Sequence, residues 1–258
     1  MQSKELKITI ITPSFNQGKF IGQTIQSVLD QNCSNLEYIV IDGGSTDNTL
    51  SILKKYSTRI KWISEKDSGQ MEALNKGLKM AHGDIIAFIN SDDYYLPETL
   101  NKIVKYFKED TNLEVITGDY IIIDSQGKEI QTAVSVWKKI LRKFHGFNTL
   151  CVANYINQPS TFWRKSVIDK IGYFNEELHY VFDYEYWLRI LRAGITISIV
   201  REKFSCYRIH SQSKGGSQYK KRSIEELAVQ KKYNTNPIIY GLHILHNQLM
   251  VFIYNFIQ

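Results

Sequence analysis

Five consecutive apolar residues, Ile85-Ile86-Ala87-Phe88-Ile89, run without alternation into Asn90-Ser91-Asp92-Asp93. An unbroken apolar run of this length fits a strand covered on both faces, as in a parallel sheet flanked by helices. Adjacent carboxylates beyond the carboxyl end of such a strand repel one another unless a cation or hydrogen-bond donors compensate them. That end is also where open α/β sheets receive ligands. Taken alone, Ser91-Asp92-Asp93 is most simply a solvated turn; the surrounding pattern gives it another use.

Upstream, strands and helices alternate. Lys7 to Thr12 reads as a first strand closed by Pro13, followed by Ile21, Ile25, Val28 and Leu29 at helical spacing. Tyr38 to Ile41 forms a second strand ending at Asp42, and Gly43-Gly44-Ser45-Thr46-Asp47 leads into a helix over about 48–56, with Ser45 or Thr46 expected as its cap. Ile60 to Glu65 is a third strand, and Lys66-Asp67-Ser68-Gly69 precedes a helix bearing Met71, Leu74 and Leu78 and stopped at Gly83. After Asp93, Pro97 is expected at the first position of a helix carrying Leu100, Ile103, Val104 and Phe107. This alternation predicts an α/β, mostly parallel, doubly wound sheet.

Beyond Leu113 the pattern becomes mixed. Ser125-Gln126-Gly127-Lys128 marks a hairpin-like turn. Trp137, Ile140, Leu141 and Phe144 share a helical face opposite Lys138, Lys139, Arg142 and Lys143, a basic amphipathic segment that either packs on its own domain or meets a membrane. A helix over about 182–193 begins Phe182-Asp183-Tyr184-Glu185. The tail from Tyr219 opens with Lys220, Lys221 and Arg222, and Ile238, Ile239, Leu242, Leu245, Leu249, Phe252, Ile253 and Phe256 then recur at helical spacing, interrupted by His243, His246, Asn247 and Gln248. Such a segment is a poor membrane span and a better interfacial or protein-packed helix.

The composition, 43% hydrophobic and 22% charged, excludes wholesale disorder, and a formal charge of +6 suits an anionic partner without choosing one. Cys33, Cys151 and Cys206 lack metal-ligand spacing and read as reduced thiols. The polar start, Met1 to Lys7, predicts no signal peptide and a cytoplasmic protein.

On a parallel sheet the loops Thr12-Pro13-Ser14-Phe15-Asn16, Asp42-Gly43-Gly44-Ser45, Lys66-Asp67-Ser68-Gly69 and Asn90-Ser91-Asp92-Asp93 all follow strand ends and converge on one rim. A nucleotide crevice is the natural use of that rim. No glycine-rich phosphate loop follows the first strand, so the phosphates need another counter-charge, which Asp93 with Mn²⁺ or Mg²⁺ supplies.

With Gln70-Met71-Glu72-Ala73-Leu74-Asn75-Lys76-Gly77 between them, these motifs in this order resemble the family 2 glycosyltransferases of GT-A fold. Gln158-Pro159-Ser160-Thr161-Phe162-Trp163-Arg164, Gly172-Tyr173-Phe174-Asn175, the Phe182 to Arg189 stretch and Tyr207-Arg208-Ile209-His210 continue the likeness across roughly residues 6–216. The resemblance implies a GT-A domain over 1–218, with a nucleotide-binding half (1–112), an acceptor-binding half (113–218) and a basic, amphipathic helical extension (219–258). It places Pro13 and Phe15 in the base pocket and Asp42 on the base's imide nitrogen. Asp67 falls near base and ribose, and Asp92 on the ribose or donor sugar. Asp93 and His210 become ligands of Mn²⁺ or Mg²⁺, and Asp183 the catalytic base, with Glu185 second. Two departures from the family pattern stand out: Asn90 where a carboxylate often precedes the metal motif, and Phe182 before Asp183 where an acid is usual.

The implied activity is inverting transfer of a hexosyl or N-acetylhexosaminyl unit from a UDP- or dTDP-sugar to a hydroxyl of a glycan acceptor, lipid-linked, in bacterial-type surface polysaccharide synthesis. The enzyme is then cytoplasmic and peripheral on the inner face of the membrane, touching it through the tail. The competing readings are a sugar-phosphate nucleotidyltransferase, opposed by the missing arginine-bearing glycine loop, and a non-catalytic basic module for membrane or nucleic acid. Nucleic acid is opposed by the carboxylates gathered where a polyanion would bind.

Overall fold

The computed structural model describes residues 5–130, 133–211, 213 and 218–257. The chain divides into two compact units that interleave in sequence. A sheet unit takes the chain up to Ile121, Asn157–Glu176 and Thr196–Tyr207, and a helical unit takes Ile122–Ile156, Glu177–Ile195 and the chain from Arg208 on. The polar start Met1 to Lys4 and the side chains of Ile253 and Phe256 lie outside the described residues.

The sheet has eight strands in the order β3-β2-β1-β4-β7-β6-β8-β5. They are β1 (Ile8–Ser14), β2 (Leu36–Asp42), β3 (Lys61–Ser64), β4 (Ile85–Phe88), β5 (Tyr94–Tyr95), β6 (Val115–Ile123), β7 (Thr161–Arg164) and β8 (Ile197–Arg208). β3, β2, β1 and β4 run parallel, with Ser14 opposite Asp42 and Ile11 opposite Phe88. β7 joins β4 antiparallel, pairing Trp163 with Ile86, and β6 pairs antiparallel with β7. The expected α/β sheet is therefore parallel from β3 through β4 and mixed beyond it, β5 also pairing antiparallel with β8.

Of the parallel strands, β1, β2 and β4 are buried on both faces, whereas the edge strand β3 is partly exposed. Tyr38 and Val40 of β2 pack with Ile8, Ile10, Ile21 and Ile25, whereas Ile39 and Ile41 face Ala73 on the other side. Helices α1 (Ile21–Leu29), α2 (Thr49–Lys55) and α3 (Gln70–Met80) connect these strands, and α4 (Thr99–Glu109) leads from β5 to β6. α3 approaches β1 so closely that a Cβ on Gly77 would stand 2.5 Å from Ile11 Cγ2, which only glycine permits without repacking. Two expected helix starts differ. Asn48, not Ser45 or Thr46, flanks α2, while Asp47 Oδ1 accepts the Thr49 N–H at 2.9 Å; Ser45 is already committed to Asp42. Pro97 precedes α4 by two residues because Glu98, in left-handed conformation at φ 63°, makes the turn.

The helical unit contains α5 (Ala133–Leu141), α6 (Phe147–Val152), α8 (Phe182–Arg192), α9 (Tyr219–Tyr233) and α10 (Pro237–Ile257), while α7 (Ser166–Ile171) belongs to the sheet unit. The predicted turn at Ser125 to Lys128 forms, with Gly127 at φ 86° and the Asp124 N–H donated to Lys128 O at 2.9 Å.

Glu37 ties the entrance of the parallel sheet together. Burial alone would raise its pKa, but the Lys61 ammonium at 2.8 Å, the His82 N–H at 2.7 Å and the Thr9 hydroxyl at 2.8 Å hold it from its ordinary 4.5 down to about 2. A depressed carboxyl contributes stability that is present above its unfolded pKa and is lost as pH falls through the folded value. Glu37→Gln is expected to cost about 1–2 kcal/mol at pH 7 once solvent screening by the exposed lysines is allowed for. It also flattens the decline in stability between about pH 4.5 and 2. Urea midpoints of both proteins across that range measure the difference.

Candidate active site

The strand ends do converge. Ser14, Asp42 and Ser64 terminate β1, β2 and β3, and β4 runs out toward Asn90 to Asp93. Asp42 is fully buried, and its Oδ2 accepts the Ser64 hydroxyl at 2.7 Å, the Ser45 N–H at 2.9 Å and the Gly44 N–H at 3.2 Å, while Oδ1 accepts the Ser45 hydroxyl. This donor set fixes a carboxylate at the rim without a cation. Neither Ser64 nor Ser45 stands out in sequence as a site residue; their signal is position, one at a strand end and one three residues past Asp42.

The first two loops are tied to one another. Asn16, left-handed at φ 52°, accepts the Thr46 N–H on Oδ1 at 2.8 Å, and its own N–H goes to Ser45 Oγ at 2.7 Å. Gln17 N–H reaches Thr49 Oγ1 at 3.0 Å and Gly18 N–H reaches Asp47 Oδ2 at 2.9 Å. Burial opposes ionisation of Asp47, yet the Thr49 side chain and these backbone donors hold its carboxyl below the usual range. Between the tied loops Phe15 stands 58% exposed, a large aromatic face presented to solvent at the rim, and Pro13 is buried beneath it in β1.

Asp67 leans over Gly43: a Cβ there would meet both carboxylate oxygens at 2.8 Å, so glycine makes room for the acid. Burial first, then the charges of Glu72 and Asp42, raise the Asp67 pKa against the Gly69 N–H at 3.0 Å. Two acids thus sit at one corner of the rim, Asp42 satisfied and Asp67 under pressure.

At the end of β4, Asp93 is buried and Asp92 half-buried. The Thr24 hydroxyl from α1 lies 2.9 Å from Ser91 O and 2.7 Å from Asp93 O, pinning the turn. Asn90 is the hub of an amide relay. It accepts from Gln70 Nε2 at 2.8 Å and donates to Asp93 Oδ2 at 3.3 Å and to Gln158 Oε1 at 3.2 Å, while Gln158 Nε2 donates to Phe88 O at 2.9 Å. The amide at position 90, a departure from the family pattern, thus presents a donor to Asp93 where a carboxylate would repel it. Gln70 and Gln158 open two of the sequence motifs, but their convergence on Asn90 depends on the fold.

Among the described residues no group of three or more His, Cys, Asp or Glu is placed to hold a metal. The donor chemistry nevertheless fits Mn²⁺ or Mg²⁺, hard cations commonly held by one or two carboxylates with phosphates and water completing the shell. Ser14 Oγ, buried without a hydrogen-bond partner at the end of β1, is a further polar atom at the rim.

In the helical unit, Asp183 lies in the first turn of α8 behind Val181, so it does not cap that helix. Burial raises its pKa, against the attraction of Arg222 and Lys138 and with Glu226 pushing the same way. Lys138 in turn is brought down to about 7 by burial and by the charges of Arg222 and Arg142. Glu185 is buried and engaged by Arg189 Nη2 at 2.8 Å, Arg189 Nε at 3.0 Å and the Tyr233 hydroxyl. His210 is half-buried, its carbonyl accepting the Ser213 hydroxyl at 2.8 Å. Lys138, Arg222 and Glu226, which tune Asp183, are residues that the sequence analysis did not single out for the site.

The glycosyl transferase family 2 model matches residues 9–172, and the chain belongs to that family. A glycosyltransferase of Haemophilus influenzae is 32% identical over 218 residues, 79% of this chain and 65% of that protein. One of Rickettsia felis is 28% identical over 202 residues, 72% of this chain and 32% of that protein. This chain therefore spans between a third and two-thirds of the length of these curated relatives. In overall fold it is similar to Staphylococcus aureus TarS in complex with UDP-GlcNAc, with TM-score 0.69, 19% identity, and 93% of this chain and 72% of that one covered. It is also similar to the mannosyltransferase PcManGT of Pyrobaculum calidifontis in complex with GDP-Man and Mn²⁺, with TM-score 0.71, 15% identity, and 95% and 69% covered. These likenesses establish the α/β GT-A fold.

Asp42→Ala is expected to cost about 2–4 kcal/mol, because it strands buried hydroxyl and backbone donors. Asp67→Ala should stay within about 1 kcal/mol. Urea denaturation of the two variants checks the contrast.

Proposed function

We propose that the chain transfers a sugar, with inversion at the anomeric carbon, from a nucleotide-linked donor to a hydroxyl of a glycan acceptor. The observation that carries this reading is the convergence of Phe15, Asp42, Asp67, Asp92 and Asp93 on one rim of a parallel sheet in a chain of glycosyl transferase family 2. Phe15 and Pro13 offer the base an apolar face, and Asp42 and Asp67 offer acceptors for its imide and for the ribose. The complexes of TarS with UDP-GlcNAc and PcManGT with GDP-Man support a nucleoside diphosphate sugar as donor; UDP or dTDP is the proposed carrier. Family membership favours this over nucleotidyl transfer and over a non-catalytic binding module.

Asp93 is the proposed ligand of Mn²⁺ or Mg²⁺, with His210 as second ligand. The cation, when bound, supplies positive charge to the departing diphosphate. Asp183 is the proposed base. As the acceptor oxygen bonds to the anomeric carbon and the bond from that carbon to the diphosphate oxygen breaks, Asp183 takes the hydroxyl proton and the nucleoside diphosphate leaves on the opposite face. The raised pKa of Asp183 makes its carboxylate a stronger base than a solvated aspartate. Glu185, held by Arg189 and Tyr233, is the second choice. The proposed acceptor is a lipid-linked glycan of a surface polysaccharide, which puts the enzyme at the inner face of a membrane with its tail as the contact.

Thermal denaturation with a panel of nucleoside diphosphates, with and without Mn²⁺, tests the donor site. A Mn²⁺-dependent rise for UDP or dTDP that Asp93→Ala abolishes is expected, worth about 2.7 kcal/mol at a hundredfold excess over Kd. No response to any nucleotide would remove the reading. Asp183→Asn should retain that rise while transfer falls about 10²- to 10⁴-fold. In the parent enzyme the acid limb of kcat/KM should lie above the ordinary aspartate range, because the folded pKa is raised.

A further inference from the structure

α10 is packed inside out. It turns polar residues inward: His243 is buried, its Nδ1 2.9 Å from Val152 O and its ring stacked on Tyr184 at 6.5 Å, and Asn247 is buried against Ser223. Ile238, Leu242, Leu245, Leu249 and Phe252 point to solvent, with Leu245 63% and Phe252 59% exposed. Their spacing of four and three residues makes one continuous stripe.

α5 extends the same surface. The Trp137 ring stacks on His246 of α10 at 6.4 Å, which sets the two helices side by side. Trp137, Ile140 and, just beyond α5, Phe144 are exposed, while Leu141 and Arg142 turn inward and Arg142 Nε donates to Tyr155 O at 3.0 Å. The apolar face of this segment, for which the sequence leaves both packing on its own domain and membrane contact open, is largely the solvent face.

Charge selects the occupant. Between Ala133 and Phe144 and along α9 and α10 the only acidic residues are Glu225 and Glu226, and neither is exposed. Glu225 accepts the backbone N–H groups of His179, Tyr180 and Val181, and Glu226 is buried. Lys139, Lys143, Lys220, Lys221, Lys231 and Lys232 are all exposed. The ionic surface of these helices is therefore basic, as an anionic lipid surface requires. α10 itself carries no Asp, Glu, Lys or Arg, so it lacks the flanking charges that specify partner and register in a helix pair. Among the described residues no helix is long and apolar enough to cross a membrane.

We infer that the exposed stripe of α10 and the Trp137, Ile140, Phe144 face beside it form one docking surface for an anionic bilayer, with Lys139 and Lys143 reaching the headgroups. The inference deepens the membrane-side reading of the acceptor and rests on it only for its biological use; the docking itself is measured without transfer.

The full chain is sedimented with vesicles of phosphatidylcholine alone or mixed with about one-third phosphatidylglycerol, an anionic fraction of the kind polybasic surfaces read. Binding to the mixed vesicles is expected, with tryptophan fluorescence shifted to the blue and quenched by lipids brominated in the acyl chain, a change that Trp137→Phe removes. Leu245→Glu with Leu249→Glu should abolish both signals. Lys139→Gln with Lys143→Gln should weaken binding about twenty-fivefold, at roughly fivefold per lysine, and leave the residual tryptophan quenching intact. Both variants should keep the Mn²⁺-dependent stabilisation by nucleoside diphosphate; if the parent lacks it too, the donor reading fails and the docking result stands. Failure to bind the mixed vesicles, or binding that the leucine variant retains, overturns the inference. A dimer in sedimentation velocity that the leucine variant dissociates, without vesicle binding, would assign the face to a second copy instead.

Discussion

The parallel ladder from β3 through β2 and β1 to β4 is the constraint on which the site depends. Parallel strands all end on the same side, so the loops after Ser14, Asp42, Ser64 and Phe88 have one rim available to them. Register is held because both faces are buried: sliding β2 by one residue would exchange Tyr38 and Val40 for Ile39 and Ile41 against two differently shaped layers of helix. The Ser14–Asp42 pairing is thus maintained by apolar packing several residues away from either polar group.

On that rim, acids of the same type are placed in different physical states by their partners. Asp42 takes three donors on Oδ2 and one on Oδ1, Asp47 is held below the usual range by backbone and side-chain donors, and Asp67 is raised by burial and neighbouring charge. Asp93 receives a donor from Asn90, the hub of an amide relay, at 3.3 Å. The same side chain on one rim is thus given different electrostatic environments by the donors and charges that the fold brings to it.

The helical unit keeps Leu150, Tyr184, Trp187, Leu188 and Ile190 buried, but its helices α5 and α10 show the opposite arrangement of apolarity. Their buried polar groups, His243 and Asn247 of α10 and Arg142 just beyond α5, make hydrogen bonds, while leucine, isoleucine and aromatic side chains of the same segments face outward. An interior of this kind is stable only where its polar atoms find partners, and it leaves an outer surface that water alone covers poorly.

Much of the sheet unit is legible in one dimension. The unbroken run Ile85 to Ile89, the helical spacing of Ile21, Ile25 and Val28, and the polar clusters after each strand reflect short-range periodicity, which follows from local geometry. The candidates at the rim were nameable for the same reason, since each lies at or just past the carboxyl end of a strand. What tertiary structure alone decided was which residues complete those positions and which face of a helix is inner. Gln70, Asn90 and Gln158 meet across as many as 88 residues of chain, and β7 enters antiparallel beside β4. Periodicity in α5 and α10 revealed an apolar stripe but could not say that polar partners such as Val152, Tyr184 and Ser223 would claim the opposite face. An amphipathic helix is symmetric in this respect: its sequence defines two faces, and the long-range hydrogen bonds available to one of them determine which is buried.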